Sequence, residues 1–72
     1  MLNGLGKITI PDGSYYEGLF TNNNLNGKGV YVFNNGDKYE GNFKNSERHG
    51  DGIIYFLKGG TLKGTWLNDN YI

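Results

Sequence analysis

The sequence predicts an all-β chain: an elongated, single-layer antiparallel ribbon of β-hairpins with about six strands and no helix. Three observations predict it. The chain repeats itself every 23 residues, apolar and glycine positions alternate with a spacing of two, and the composition withholds the residues that helices use.

Composition comes first, because it bounds the rest. There are 13 glycines, 11 asparagines and 11 aromatic residues, but no alanine, no glutamine and one proline. Glycine and asparagine are poor helix formers, whereas aromatic side chains favour a pleated surface. Seventy-two residues make one small domain whose core must be thin. The seven basic and seven acidic residues cancel and are spread along the chain, so no field gathers nucleic acid. Without cysteine there is no disulfide, thiolate metal site or thiol nucleophile. An intracellular setting is expected, cytoplasmic or associated with cytoskeleton or membrane. No apolar run approaches the roughly 20 residues of a membrane span, and residues 1–10 lack the features of a signal peptide.

The repeat appears when the sequence is slid by 23 residues, which aligns Tyr16-Glu17-Gly18-Leu19-Phe20 with Tyr39-Glu40-Gly41-Asn42-Phe43 and with Leu62-Lys63-Gly64-Thr65-Trp66. Gly4 and Gly6 then match Gly27 and Gly29, and Gly50 and Gly52. Ile8 and Ile10 match Tyr31 and Phe33, and Ile54 and Phe56. A fixed period of this kind marks a repeat architecture in which each unit buries its face against its neighbours. The units run 1–15 (half a repeat), 16–38, 39–61 and 62–72 (partial).

Period-two alternation places strands near 4–10, 14–20, 27–33, 37–43, 50–57 and 60–66. The links Pro11-Asp12-Gly13, Asn34-Asn35-Gly36 and Leu57-Lys58-Gly59 suit three-residue hairpin turns with glycine left-handed in third place. The alternate links, 21–26 and 44–49, read as six-residue polar loops. Short links make neighbours antiparallel, so the topology is a meander. Pairing Tyr16 with Tyr31, and Tyr31 with Tyr39, forces Gly18, Gly29 and Gly41 into one row that Gly6, Gly52 and Gly64 extend. A parallel row alternates small with large: Gly4, Phe20, Gly27, Phe43, Gly50, Trp66. Glycine inside a strand weakens it by about 0.5–1 kcal/mol relative to alanine. A row of six therefore needs a packing reason, and rings lying over neighbouring backbone would supply one.

The pattern Tyr-Glu-Gly-x-Phe, six residues, Gly-x-Gly-x-Tyr/Ile-x-Phe and then Gly-Asp, with His49-Gly50 included, resembles the MORN (membrane occupation and recognition nexus) repeat across nearly the whole chain. Asn3 and Asn26 where histidine is common, Leu62 where tyrosine is common, and Ile8 and Ile10 in place of aromatics depart from it. The resemblance implies a single-layer hairpin array serving assembly and partner binding. It also implies an alternative, a phospholipid- or membrane-associating accessory segment beside a catalytic domain such as a lipid kinase or protein methyltransferase.

No catalytic, cofactor-binding or metal residue is expected. His49 has Glu47 and Asp51 near it in sequence, but its repeat equivalents Asn3 and Asn26 keep hydrogen bonding and discard acid-base chemistry. Gly27-Lys28-Gly29 lacks the next glycine of a dinucleotide fingerprint, with Val32 in its place. Asp12, Asp37 and Asp51 are too scattered for a calcium loop. Lys38, Lys44, Arg48 and Lys63 would make a small phospholipid-facing patch only where their tips converge, so lipid contact is expected to be weak.

The partner-binding surface is expected on the aromatic face, from Tyr16, Phe20, Tyr31, Phe33, Tyr39, Phe43 and Trp66, as a trough floored by backbone at Gly18, Gly29, Gly41, Gly52 and Gly64. Aromatic anchors carry most of the energy in such grooves. A protein partner is expected, with self-association through open edge strands as one route. The outermost strands, near 4–10 and 60–66, are expected to carry unpaired backbone groups, with Trp66 lacking the outer neighbour that Phe20 and Phe43 have.

Overall fold

A computed structural model describes residues 3–72, so the first two residues of the 1–15 unit lie outside the described part. Seven strands lie side by side in chain order in one antiparallel sheet. They are β1 (Gly4–Thr9), β2 (Tyr15–Thr21), β3 (Asn24–Val32), β4 (Lys38–Lys44), β5 (Glu47–Tyr55), β6 (Thr61–Leu67) and β7 (Asn70–Tyr71). There is no helix among the described residues, and hence none long and apolar enough to cross a membrane. The sheet measures 36 × 26 × 16 Å.

The register follows the repeat. Tyr16 faces Tyr31, Tyr31 faces Tyr39, and Gly6, Gly18, Gly29, Gly41, Gly52 and Gly64 form a continuous row from β1 to β6. The three-residue turns also follow the sequence. In the first, Gly13 N–H donates to Ile10 O at 3.0 Å, Ile10 N–H donates to Ser14 O at 2.8 Å, and Gly13 has φ +100°. The pattern recurs at Phe33–Asp37 and Phe56–Gly60.

The segments 21–26 and 44–49, expected as six-residue loops, are instead two-residue turns flanked by longer strands. Asn22 and Asn23 have φ +50° and +68°, Asn45 and Ser46 repeat these values, and Asn68 and Asp69 follow at +49° and +71°. Two successive left-handed residues make the turn whose twist matches that of the flanking strands, and asparagine tolerates that conformation better than most. β3 and β5 thus begin three residues earlier than expected, at Asn24 and Glu47.

Those extra residues are absorbed by a bulge. From Gly18 to Phe20, β2 advances two residues while β3 moves from Gly29 to Leu25, and β4 and β5 repeat this between Gly41 and Phe43. The expected small-large row is therefore broken. Gly4–Phe20, Gly27–Phe43 and Gly50–Trp66 do pair, but Phe20 faces Leu25 and Phe43 faces Arg48 across the bulges. Gly27 and Gly50, at φ +93° and +86°, are needed for the bulge backbone, a reason separate from packing.

A second correction concerns the far end. Trp66 does not lack an outer neighbour: β7 pairs with β6, and the Tyr71 ring stands 5.1 Å from that of Trp66, which is buried.

Candidate functional site

The aromatic face is built around two tyrosines that lie down. A Cβ at Gly29 would collide with the hydroxyl end of the Tyr16 ring, 2.5 Å from Cε1, and one at Gly52 would come equally close to Tyr39 Cε1. Each ring therefore occupies the space above the glycine of the next strand. Each hydroxyl donates to the carbonyl of a residue at the bulge, Tyr16 to Leu19 O and Tyr39 to Asn42 O, both at 2.9 Å. Burial pushes both phenols above their usual pKa, because desolvation disfavours the phenolate.

This packing fills the trough expected from the sequence. Tyr16, Phe20, Tyr39, Phe43 and Trp66 are the buried core, at 5% exposure or less. Their rings meet edge-on in a column that crosses the sheet: Tyr16 lies 4.9 Å from Phe43, and Tyr39 lies 5.2 Å from Phe43 and 5.1 Å from Trp66. Of the seven aromatic residues singled out from sequence, Tyr31 and Phe33 keep accessible surface. They stand half-buried beside the core with ring centroids 5.0 Å apart.

Tyr31 and Phe33 form one wall of a groove whose floor is Phe43 and whose other side is Ser46, Arg48 and Asp69. Arg48 stands directly across from Phe43, and its guanidinium carbon lies 5.8 Å over the Phe33 ring and 5.9 Å from that of Tyr39. Asp69 holds it there. Arg48 Nε and backbone N donate to Asp69 Oδ1 at 3.2 and 2.8 Å, and a terminal guanidinium nitrogen donates to Asp69 O at 3.0 Å. The left-handed backbone of Asp69 turns its carboxylate back toward β5, so the groove wall depends on the turn between β6 and β7. The result is an apolar floor with one fixed cation and one half-exposed carboxylate, suited to binding.

Sequence reasoning placed Arg48 among dispersed basic residues and did not see this role. The available signal was its repeat position, since Arg48 is equivalent to Leu25 and Tyr71, both of which also face the core aromatics across the bulge or turn. Arg48 stands apart from the other cations: it lies on the aromatic face, whereas Lys38 lies over Tyr55 on the other face, 4.9 Å from its ring centroid. On that other face Lys28 and Lys63 line one depression together with Glu40 and Asp51.

The remaining candidates bring no chemistry together. His49 Nδ1 is buried without a hydrogen-bond partner among the described residues, and Asp51 is engaged with Thr65 and Asn42. Gly27-Lys28-Gly29 lies within β3. Among the described residues no three of His, Cys, Asp or Glu gather as a metal site.

Comparison with protein-family models matches the MORN repeat three times, at residues 1–15, 16–38 and 39–61. Repeats of this family are interaction modules for proteins and membranes and are in general non-catalytic. Comparison with curated proteins returns no significant match.

Proposed function

Because the chain belongs to the MORN repeat family, we propose that it is a non-catalytic interaction module that binds a segment of a protein partner on its aromatic face, in the groove between Tyr31-Phe33 and Arg48-Asp69. One observation carries this: a half-buried aromatic pair faces a guanidinium held by two hydrogen bonds to Asp69, with a third from the Arg48 backbone N–H. Rigid aromatic and arginine anchors are the groups that dominate protein recognition, because little conformational freedom remains to be lost on binding. Protein is favoured over phospholipid because the groove on the aromatic face carries, among the described residues, the single cation Arg48, already paired with Asp69. The lysines of the other face are interspersed with carboxylates, Lys28 and Lys63 with Glu40 and Asp51, whereas a lipid surface is read by a cluster of several cations.

A photoreactive phenylalanine analogue tests the surface. Placed at Phe33 in the full chain, it should cross-link to a protein in extracts of the source cells. Placed at Tyr15, which points to the opposite face from Tyr16, it should not. Cross-linking from Phe33 to phosphatidylserine-containing vesicles, with no protein adduct, would replace the protein partner by a membrane.

A further inference from the structure

The groove is one part of a longer feature. The row beyond the tyrosines carries a large apolar residue in every unit, Ile10, Phe33 and Phe56, alternating with the smaller Ser14, Asp37 and Gly60 across each three-residue turn. Ile8, Tyr31 and Ile54 stand two residues inward on the same strands or just before the turn. Ile8 and Phe56 are exposed by 38% and 41%, and the other four are half-buried. The aromatic face thus presents three equivalent apolar ledges, one per unit, along the turn side of the sheet.

Their spacing selects the occupant. Successive ledges are two strands apart, about 9.4–9.8 Å. One turn of a polyproline II helix advances about 9.3 Å and returns the same face every third residue. Two turns of α-helix advance about 10.8 Å. Over the three ledges the polyproline helix stays within about 1 Å of register, whereas the α-helix slips by about 2–3 Å, more than a carbon radius. An extended strand repeats its face at about 6.6 or 13 Å and fits neither interval.

Charge sets the direction. Asp12 and Asp37 line the turn rim beside the first two ledges, with Asp12 Oδ2 accepting from Asn34 Nδ2 at 3.3 Å and Asp37 Oδ1 accepting from Leu57 N at 2.9 Å. Lys58 lies in the third turn, next to Phe56. We infer that this face takes a proline-rich segment of a partner protein in polyproline II conformation, apolar residues recurring every third position, with a basic residue at the end over Ile10. This rests on the aromatic face being the protein-binding surface and gives the partner its chemical class.

Selection of displayed random peptides on the full chain tests the inference, with Phe56→Ser and Phe33→Ser chains as counter-targets. Phe56 is exposed, so its variant keeps the fold, and circular dichroism checks both. The expected result is enrichment of prolines at three-residue spacing with a flanking Lys or Arg. Recovered peptides should bind either variant on the order of tenfold more weakly, the usual loss of an aromatic anchor. Asp12→Asn should weaken peptides carrying the basic flank and leave those without it unchanged. Enrichment of apolar residues at helical spacing, still dependent on Phe33, would overturn the polyproline assignment and leave the protein-binding face standing. Peptides that bind the variants equally well, or no enrichment, would overturn both.

Discussion

At the scale of single residues, two kinds of glycine do different work. Gly29 is held by space: its missing side chain is where the Tyr16 ring lies, and that ring is 1% exposed and cannot swing away. Gly29→Ala should therefore destabilise by about 2–3 kcal/mol although alanine suits a strand better than glycine, because an overfilled core must shift its rings. Chemical denaturation checks this, and an unchanged midpoint would show that the ring relaxes without loss. Gly50 is held by backbone, since a Cβ there meets nothing closer than 3.8 Å but the residue sits at φ +86°. The sequence reading found the row of glycines and its partner rings, because both follow from alternation and period. It did not separate these two causes, since the sequence letter is the same and the bulge that distinguishes them is a property of the paired strands. The tyrosines add a pH signature. Burial raises the Tyr16 and Tyr39 phenols above their usual value near 10, so above that pH the folded chain retains protons that the unfolded chain releases. The stability these groups contribute is full below pH 10 and is lost as pH rises through 10 toward their folded pKa values. A spectrophotometric titration should show Tyr16 and Tyr39 ionising late, together with loss of strand signal. Ionisation of Tyr16 and Tyr39 near the usual tyrosine value, before any unfolding, would contradict it.

At the scale of elements, the two kinds of hairpin turn bind adjacent units along opposite rims of the sheet. On one rim the three-residue turns are joined by Asn34 to Asp12 and by Leu57 to Asp37, at 3.3 and 2.9 Å. On the other the two-residue turns reach back one unit: Ser46 N donates to Leu25 O, Asp69 N donates to Arg48 O, both at 2.9 Å, and Asn22 N donates to Asn3 Oδ1. Asp69 performs two tasks there, adopting the left-handed turn and fixing Arg48. Asp69→Ala should lose both and destabilise by about 1–2 kcal/mol, whereas Asp69→Asn keeps an acceptor and the backbone tolerance and should lose less than about 1 kcal/mol. Equal loss in both variants would mean that the charge, and not the turn, matters. The three-residue turns were legible because glycine in third place announces them. The two-residue turns were not, because Asn22-Asn23, Asn45-Ser46 and Asn68-Asp69 carry no glycine and polar neighbours disguise the strands that enter them. For the same reason Asp69, half of the groove wall, was invisible in the sequence.

At the scale of the molecule, stability runs along the column of rings that crosses the sheet from Phe20 through Tyr16, Phe43 and Tyr39 to Trp66, each link adding about 0.5–1.5 kcal/mol beyond the area it buries. The column meets a sequence fault at position 62, where leucine stands in place of the tyrosine found at 16 and 39. In the two earlier units that tyrosine packs on the aromatic residue four positions later, at 5.2 Å in both. In the third, Tyr71 from β7 takes the place instead: its ring lies 5.1 Å from that of Trp66, and a Cβ at Gly64 would strike it. The sheet thus repairs a missing ring with one from the following strand, which also keeps Trp66 at 2% exposure. Tyr71 is itself 51% exposed, so Tyr71→Ala should destabilise by about 1–2 kcal/mol, with a red shift of Trp66 fluorescence as water reaches the indole. Leu62→Tyr should restore much of the loss in the Tyr71→Ala background, because the new hydroxyl can reach the Thr65 carbonyl as Tyr16 and Tyr39 reach those of Leu19 and Asn42. In the parent background the same substitution should gain far less, since two rings then compete for one seat. The four chains form a double-mutant cycle, and the expected coupling is about 1 kcal/mol. Additive effects within about 0.3 kcal/mol would show that the two positions serve separate sites and that Tyr71 does not substitute for the missing tyrosine.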